Sequence, residues 1–372
     1  MTYLDYSATT YPDEKVLESF IKASKYIGNP NSLHKLGVKT KKLIEASTNQ
    51  IAGLLNVKSN EIIYTSGASE SNNTIIKAME KFKNRGMKII TTPLEHSSIY
   101  APLKQLEEKG FKIEYTPLKD GVVDINALKN MLTDDTVLVT IGMVNSETGI
   151  RQPIEQIGKI LKDYPKIIFH SDITQAAGKI KFDLTDVDAA SFSAHKFFGI
   201  KGIGVLYKKE NLIIEPLIAG GKSTTSFRSG TPPTELIVSM AKALRLSYEN
   251  LNEEKILKLN KTLKENLKKY KDVSLNSNEY SIPHILNISV KNIKPETLLH
   301  ALEQEEVYIS TQSACSTAKA SKAILTLTGS KEKATTSIRI SISRKTTDAD
   351  IENFLKAFDK SYKSLGGTLW KK

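Results

Sequence analysis

The segment SFSAHKFFGIKGIGVLY, residues 191–207, contains two short apolar runs joined by a glycine-rich turn. Its first run ends in small hydroxyl residues, followed directly by His195 and Lys196. A lysine that forms an imine with an aldehyde must reach the carboxyl edge of a sheet and lose its proton more readily than a lysine in solvent, which partial burial promotes. Ser193 and His195 can donate hydrogen bonds to a phosphate. Because such strings occur by chance, this segment alone favours a cofactor site only modestly over an ordinary strand end.

A second segment, KIIFHSDITQAAGK at residues 166–179, ends a β-run at Asp172, with Gln175 three residues later. The ring nitrogen of a pyridine cofactor needs such a carboxylate, because a protonated ring stabilises negative charge at the Cα of a bound amino acid. The alternative is an aspartate that caps the next helix, which is common. Asp172 and Lys196 both fall at carboxyl ends of neighbouring predicted strands, where ligands bind in such sheets, and this favours the cofactor site.

A third segment, IIYTSGASESNN at residues 62–73, predicts a strand followed by a helix that begins near Ala68 and Ser69. Free amides at a helix N-terminus, with small side chains in front of them, form an anion site suited to a phosphate ester. A plain N-cap at Ser66 or Ser69 explains the same pattern. The segment alone supports the two interpretations equally.

From about residue 60 onward, short β-branched runs alternate with longer amphipathic stretches, which is typical of βα units that build a mainly parallel sheet. The predicted strands are 61–65, 88–92, 112–115, 137–141, 166–170, 189–193 and 204–207. We therefore expect an α/β fold, with a large domain built on a mainly parallel seven-stranded sheet flanked by helices.

The charged, helix-rich stretch 233–270 predicts a long helix that leaves the large domain, with a domain boundary inside it. The pattern after it predicts a smaller, compact α+β domain. The strands expected there are 284–290, 307–310 and 337–341, and the helices are 295–306 and 348–360. We expect residues 13–255 to form the large domain, and residues 1–12 with 256–372 to form the small one.

Composition and charge are those of an ordinary globular protein. Hydrophobic residues make up 40% and charged residues 25%, and no segment is long and apolar enough to cross a bilayer. The opening stretch MTYLDYSATTYPDEK lacks the pattern of a secretory signal, so a cytoplasmic location is expected. The net charge of +12 comes from scattered lysines, such as Lys255, Lys258 and Lys261, which indicate solvated helix faces. No direct nucleic-acid binding is expected.

The chain has one cysteine, Cys315, which excludes an intramolecular disulfide and any multi-cysteine metal site. The histidines show no ligand spacing, so no metal is expected. A single thiol is either inert core or reactive. The residues around Cys315 are small and polar, whereas a buried structural cysteine predicts apolar neighbours, so the sequence favours a reactive thiol on a loop.

Taken together, these segments resemble the class V aminotransferase superfamily, and specifically the cysteine desulfurases, across almost the whole chain. The matching motifs occur in the order of that family, and so many in order are far beyond chance. They are YLDYSATT at 3–10, GNPNSLH at 28–34, TSGASESNN at 65–73, LEHSS at 94–98, MVNSETGIRQPI at 143–154, HSDITQAAGK at 170–179, SFSAHKFFGIKGIGVLY at 191–207, RSGTPP at 228–233, QSACS at 312–316 and SIRISISRKTTDADI at 337–351.

The resemblance implies a pyridoxal 5'-phosphate enzyme in which Lys196 is the Schiff-base lysine. The other implied cofactor contacts are Asp172 at the pyridinium nitrogen, Gln175 at the ring phenolate oxygen, His96 stacked on the ring as a proton shuttle, and Ser69, Ser193 and His195 at the phosphate. Thr231 corresponds to a threonine that reaches the phosphate of the other subunit, so a homodimer is implied. Asn145 is similar to the asparagine near the substrate carboxylate, and Arg339 to the arginine that binds it by a two-pronged ion pair.

Within this fold, Cys315 implies the activity. As a thiolate it can attack the sulfur of a cysteine–cofactor adduct, which releases alanine and leaves a persulfide on the enzyme. The resemblance thus implies a cysteine desulfurase that converts L-cysteine to L-alanine and passes sulfur to an acceptor protein, for iron–sulfur cluster assembly or tRNA thiolation. The alternatives are a selenocysteine lyase or another class V aminotransferase, in which Cys315 would be incidental, and a non-catalytic scaffold.

Some positions depart from the family pattern. After Gly220 and Gly221 the usual glutamine–glutamate pair is missing, and the segment 222–226 is one residue longer, which puts contacts at the dimer edge in question. Ser146, Ser69 and Ser343 stand where asparagine, threonine and glycine are common. These changes are expected to be tolerable for phosphate binding but to bear on rate or substrate range.

Overall fold

The structure is a computed structural model that describes residues 1–221, 227–311 and 320–368. Its strands are β1 (Thr2–Tyr3), β2 (Ile62–Thr65), β3 (Lys88–Thr91), β4 (Lys112–Tyr115), β5 (Leu118–Lys119), β6 (Val122–Val123), β7 (Thr136–Thr140), β8 (Ile168–Asp172), β9 (Ala189–Ser193), β10 (Gly204–Lys208), β11 (Val273–Leu275), β12 (Ile285–Val290), β13 (Val307–Tyr308) and β14 (Ser337–Ser341). Its helices are α1 (Glu14–Ser24), α2 (Lys35–Leu55), α3 (Ala68–Ala78), α4 (Ser97–Glu107), α5 (Ile125–Met131), α6 (Ile154–Leu161), α7 (Thr234–Glu249), α8 (Glu253–Leu267), α9 (Pro295–Glu303), α10 (Lys322–Thr328), α11 (Lys331–Thr335) and α12 (Asp348–Thr368).

The central sheet has the strand order β2-β10-β9-β8-β7-β3-β4. The run from β9 to β4 is parallel, whereas β10 is antiparallel to both of its neighbours. The predicted seven-stranded, mainly parallel sheet is confirmed. Strand β8 lies two residues later than the predicted 166–170, so Asp172 is its last residue.

The central sheet buries both of its faces. Along β10, Val205 and Tyr207 belong to one apolar cluster and Leu206 to another, because successive side chains of a strand point to opposite faces. Burial on both sides explains why its strands are short β-branched and apolar runs rather than alternating patterns.

The long helix expected over 233–270 is wrong, because the chain forms two helices there. At Asn250 the backbone leaves helical geometry, with φ −110° and ψ 23°. The side chain of Asn252 then accepts a hydrogen bond from the backbone N–H of Lys255 at 2.9 Å and caps α8. Asparagine competes well for such backbone partners, which favours a break over a continuous helix.

A second, smaller sheet has the order β11-β12-β14. Its apolar cluster includes Ile288 and Ile340 from the sheet, Ile256 from α8 and Phe354 from α12. Leu4, which follows β1, also packs in this cluster, and β1 pairs in parallel with β13. The expected division of the chain at residues 12 and 255 stays a prediction.

Residues 5–13 connect the two groups of elements. The backbone N–H of Ser7 donates to Ser341 Oγ at 2.9 Å, while the N–H of Thr10 donates to the carbonyl of His195 at 2.9 Å. The segment therefore lies against β14 on one side and against the turn after β9 on the other. Among the residues that the structure describes, no helix is both long and apolar enough to cross a membrane.

Candidate functional site

A cavity of about 210 Å³ lies at the carboxyl ends of β7, β8 and β9, where residues 5–13 and β14 approach the central sheet. Parallel strands end on the same edge of a sheet, so side chains that follow each strand converge there. The cavity brings together predicted residues from separate motifs, namely Ala68, Ser69, His96, Asn145, Asp172, Gln175, Ser193, His195, Lys196 and Arg339.

Lys196 is the last residue of a short 3-10 helix, Ala194–Lys196, directly after β9. Its Nζ donates hydrogen bonds to the backbone carbonyls of Ser7, at 2.6 Å, and Ala8, at 2.8 Å. These two carbonyls fix the direction of the amine in the cavity. Sequence reasoning missed their role, because backbone acceptors leave no trace in residue identity.

Asp172 ends β8 and uses its two carboxylate oxygens differently. Oδ1 accepts a hydrogen bond from the backbone N–H of Thr174 at 2.9 Å, so the capping interpretation is correct for this oxygen. Oδ2 accepts from Asn72 Nδ2 at 2.8 Å, and Asn72 is fully buried on α3. Donors on both oxygens hold the carboxylate in one orientation.

His96 caps α4 and is neutral at neutral pH. Its Nδ1 accepts a hydrogen bond from the backbone N–H of Ser98 at 3.2 Å and lies 2.8 Å from Ser98 Oγ. Burial lowers the pKa of His96; the charge of Asp172 opposes this shift, and that of Lys196 adds to it. Because Nδ1 is an acceptor, the single proton of the neutral ring is on Nε2.

Ser193, Ala68 and His195 lie at the helix end of the cavity, where the phosphate site is predicted. Ser193 Oγ accepts a hydrogen bond from the N–H of Ala68 at 2.7 Å, so this amide of the predicted anion site already has a partner. His195 Nδ1 lies 3.0 Å from Thr9 Oγ1. Burial, and then the charge of Lys196, lower the pKa of His195 to about 4, so the ring is neutral here as well.

Arg339 is buried on β14 and faces the same cavity. Its Nη2 donates to Asp5 Oδ1 at 2.6 Å, and its Nη1 donates to the carbonyl of Ser146 at 2.9 Å. Within the described residues its Nε has no hydrogen-bond partner, and neither does the buried hydroxyl of Ser7. Buried polar atoms without partners are uncommon in folded proteins, and two of them on one cavity wall indicate a polar ligand.

Asn145 lines the cavity, but its side chain is largely occupied by its own turn. Its Nδ2 donates to the carbonyl of Leu94 at 2.9 Å. Its Oδ1 accepts from the N–H of Glu147 at 3.0 Å and from the N–H of Thr148 at 2.8 Å. In this structure Asn145 therefore shapes the turn, and its contact with a substrate carboxylate stays a prediction.

Two predicted residues remain, Thr231 and Cys315. Thr231 is exposed and does not line the cavity, as a residue that serves the other subunit would not. Cys315 and the unusual segment 222–226 lie outside the described residues. The described part of the chain holds no group of three or more metal-ligating side chains.

Glu95 is a cavity residue that sequence reasoning missed. Its side chain accepts hydrogen bonds from Thr92 Oγ1, at 2.6 Å, and from the backbone N–H of Gly142, at 3.0 Å. Burial raises its pKa to about 7, and the charge of Asp172 adds to the shift. The only sequence signal was its place directly before His96.

Comparison with known proteins gives one answer over nearly the whole chain. The model of the family "Aminotransferase class-V" matches residues 2–354. A NifS/IcsS protein homolog of Lactobacillus delbrueckii subsp. bulgaricus is 42% identical, with 97% of each chain covered. The chain belongs to the class-V aminotransferase family.

Two further comparisons narrow the place of the chain within this family. The cysteine desulfurase IscS of Clostridium botulinum is 38% identical over 97% of this chain and 94% of its own length. The solved structure of a NifS-like protein superimposes with a TM-score of 0.92 at 35% identity, covering 98% of this chain and all of that one. The resemblance inferred from the sequence motifs is confirmed.

Proposed function

We propose that this protein is a pyridoxal-phosphate-dependent cysteine desulfurase, which converts L-cysteine to L-alanine and transfers the sulfur to an acceptor protein. The observation that carries the proposal is the convergence of Lys196, Asp172 and Arg339 on one cavity in a chain whose relatives include enzymes named cysteine desulfurases. A basic amine, a carboxylate and a guanidinium are the groups that an aldehyde cofactor and an amino-acid substrate need.

The cavity residues fit pyridoxal phosphate. Asp172, with donors on both oxygens, would pair with the ring nitrogen, and Lys196 would bond to the aldehyde carbon. Ser69, Ser193 and His195 would hold the phosphate beside the N-terminus of α3. Bound there, the cofactor supplies an electron sink for negative charge at the substrate Cα.

The substrate end of the cavity would be formed by Arg339. Its unpartnered Nε would donate to an incoming carboxylate, while Asp5 and Ser146 fix the two ends of the guanidinium. Neutral His96, with its proton on Nε2, can give that proton to a substrate atom and take one back. Amino-acid binding and proton transfer are thus assigned to separate side chains.

We assign sulfur transfer to Cys315 from its sequence context. The Cys315 thiolate attacks the sulfur of bound L-cysteine, an S–S bond forms as the C–S bond breaks, and the carbon that loses sulfur gains a proton to give alanine. The assignment is supported by two described residues that precede and follow this segment in the chain, Ser310 and Ser321. The N–H of Ser310 donates to the carbonyl of Arg339 at 3.2 Å, and Ser321 Oγ donates to Glu147 Oε2 at 2.5 Å.

A homodimer is part of the proposal. Large apolar side chains are exposed at unusual density between residues 11 and 38, and exposed apolar clusters often mark protein interfaces. They are Tyr11, Leu17, Ile21, Tyr26, Ile27, Leu33, Leu36 and Val38. A second subunit would cover them, which agrees with the homodimer that the resemblance at Thr231 implies. The cytoplasmic location and the identity of the sulfur acceptor stay predictions from sequence.

The direct test measures sulfide and alanine released from L-cysteine by the purified protein in the presence of a thiol reductant. We expect equal amounts of both products from the parent, and loss of at least about 100-fold in rate for Cys315→Ser, since hydroxyl is a poor nucleophile toward sulfur. Cofactor absorbance should be unchanged in that variant.

Two outcomes would contradict the proposal. If Cys315→Ser releases sulfide as fast as the parent, the thiol is incidental and a selenocysteine lyase becomes the better assignment. If the parent releases neither product but exchanges alanine with a keto acid, the protein is an aminotransferase. Selenocysteine and alanine with pyruvate are therefore assayed in parallel with L-cysteine.

A further inference from the structure

A second lysine, Lys179, lies buried behind the cavity and has no role in the mechanism above. It follows the turn after β8, four residues beyond Gln175, and only 9% of it is exposed. Its Nζ donates a hydrogen bond to Gln175 Oε1 at 2.6 Å. No carboxylate forms an ion pair with it in the described part of the chain. Burial holds its pKa well below the ordinary lysine value, and the charges of Lys196 and Arg339 add to this.

Hydrogen bonds connect Lys179 to the amine of Lys196. Gln175 accepts from Lys179 with its oxygen and donates with Nε2 to the carbonyl of Ser7 at 3.0 Å. The same Ser7 carbonyl accepts from Lys196 Nζ at 2.6 Å. One backbone oxygen thus accepts from both side chains, and Lys179 stands at the far end of the chain of bonds.

The orientation of the Gln175 amide depends on these partners. The two ends of a primary amide have nearly the same shape, but one end only donates and the other only accepts. Lys179 presents a donor, and the Ser7 carbonyl presents an acceptor. The only orientation that satisfies both has Oε1 toward Lys179 and Nε2 toward Ser7 and the cavity, where Gln175 is part of the lining. Without Lys179, the oxygen loses its buried donor, and the Ser7 carbonyl alone holds the amide in this orientation.

We propose that Lys179 is a positioning residue of the cofactor site, which holds the amide of Gln175 with its N–H groups toward the cavity. The inference rests on the proposed function, because the second N–H of Nε2 then serves the ring oxygen next to the aldehyde of pyridoxal phosphate. Lys179 touches neither cofactor nor substrate. It acts through Gln175: with the amide held this way, Gln175 presents hydrogen-bond donors, not an acceptor, to the cavity.

The charged and titratable groups around Lys196 come from several elements, and each contributes to how the bound cofactor titrates. They are His195 from its own 3-10 helix and Lys201 just after it, Lys179 from the turn after β8, Asp172 from β8, Glu95 and His96 before α4, Glu147 from the turn after β7, and Arg339 from β14. His284, next to β12, is buried near Lys179, and burial lowers its pKa to about 3, so it adds no charge. Of these groups only Lys179 is removed in the test below.

The test uses Lys179→Met, which keeps the length of the side chain and removes the amine. A donor to the ring oxygen stabilises its anionic form, so we expect the pH midpoint of the cofactor absorption band to rise by about one unit in the variant. The dissociation constant of pyridoxal phosphate for the apo-protein should rise roughly 3-fold to 10-fold, as for the loss of one hydrogen bond. The unfolding temperature should not fall, because replacing a buried ionisable group by an apolar one of similar volume is often neutral or stabilising.

Two further variants make the test specific. Lys181→Met, at an exposed position two residues along the chain, should change neither the band nor the dissociation constant. Gln175→Leu should reproduce the shift of Lys179→Met, and the double variant should go no further than Gln175→Leu, because the lysine acts through the glutamine.

The inference is overturned if Lys179→Met binds the cofactor and titrates like the parent, or if its effects add in full to those of Gln175→Leu. A drop in unfolding temperature with an unchanged band would make the lysine merely structural and would also overturn it. Failure of the parent itself to bind pyridoxal phosphate would overturn the proposed function, and this inference with it.

Discussion

At the scale of single residues, burial keeps several titratable side chains of the site neutral. Burial lowers the pKa of His96 and of His195, and it raises the pKa of Glu95 to about 7. The two imidazole rings are therefore uncharged at neutral pH, whereas Glu95 titrates close to it. Asp172 and Arg339 are held in place by hydrogen bonds with Asn72 and Asp5, respectively.

Glu95 gives the folded protein a dependence on pH. Its folded-state pKa, about 7 against 4.5 for the free group, means that the folded state holds the proton more tightly than the unfolded chain. Its contribution to stability is complete below pH 4.5 and is lost as the pH rises through 7. Glutamine does not titrate. We therefore expect the unfolding free energy of Glu95→Gln, relative to that of the parent, to be about 2 kcal/mol more favourable to the variant at pH 8 than at pH 5.5.

Urea unfolding of the cofactor-free protein at the two pH values measures this difference. Glu108→Gln is the matched control, because Glu108 is exposed and directly follows α4. It should show no pH-dependent gain in stability. A gain for Glu95→Gln that is the same at both pH values would mean that Glu95 does not titrate between them.

Site residues could be predicted where one motif carries both the side chain and its place at a strand end. Asp172, Lys196 and Ser193 are of this kind, because a strand pattern and a terminal polar residue are both visible in the sequence. Glu95, Ser7 and Lys179 were not predicted. Their partners come from distant segments of the chain: Gly142 donates a hydrogen bond to Glu95, and Lys196 donates one to Ser7. No local sequence pattern encodes such long-range contacts.

At the scale of elements, the turn after β8 is packed tightly against the segment that carries Lys196. Gly178 in this turn has φ +70°, in the left-handed region that favours glycine. A Cβ at this position would lie 2.8 Å from Phe197 Cβ and 3.0 Å from Ser247 Cβ. Phe197, which follows Lys196 in the chain, can therefore pack this closely against the turn only because residue 178 has no side chain.

We expect Gly178→Ala to destabilise the protein by about 1–3 kcal/mol more than Gly202→Ala. Gly202 is a matched control, because it also has a left-handed backbone, at φ +89°, but an added Cβ would meet nothing within 4 Å. Both variants share the cost of the backbone, so the difference isolates the clash with Phe197 and Ser247. Denaturant unfolding of the two variants measures it, and equal destabilisation would show that both neighbours move aside freely.

Elements were predicted best where their pattern is local. The strands of the central sheet were found, because runs of β-branched residues that are buried on both faces need no partner to be recognised. The ends of helices were predicted less well. The break between α7 and α8 depends on whether Asn250 and Asn252 use their side chains to cap rather than to continue a helix, and the helix-rich charge pattern around them does not decide this.

At the scale of the whole molecule, the exposed apolar side chains between residues 11 and 38 predict that two chains associate. Ile27 is 83% exposed and Leu33 is 97% exposed in the single chain. We expect the parent to have the mass of two chains by light scattering, and Ile27→Glu with Leu33→Glu to shift it toward the mass of one, because buried charges without partners oppose association.

Leu257→Glu is the control for this experiment, since Leu257 is a 56% exposed leucine on α8, away from that stretch of the chain. It should leave the mass unchanged. A parent that is monomeric at all concentrations would remove the basis for a role of Thr231 in a partner's site.

The position of β10 has a consequence for synthesis on the ribosome. In the central sheet β2 has β10 as its neighbour, and β10 is made long after β2. At about 5–20 residues per second, the apolar strand Ile62–Thr65 waits on the order of ten seconds for its partner. Residues 2–8 wait longer still, until β13 and β14 have been translated. The nascent chain therefore keeps an apolar strand unpaired during much of its synthesis, and the amine of Lys196 acquires its final surroundings only near the end of translation.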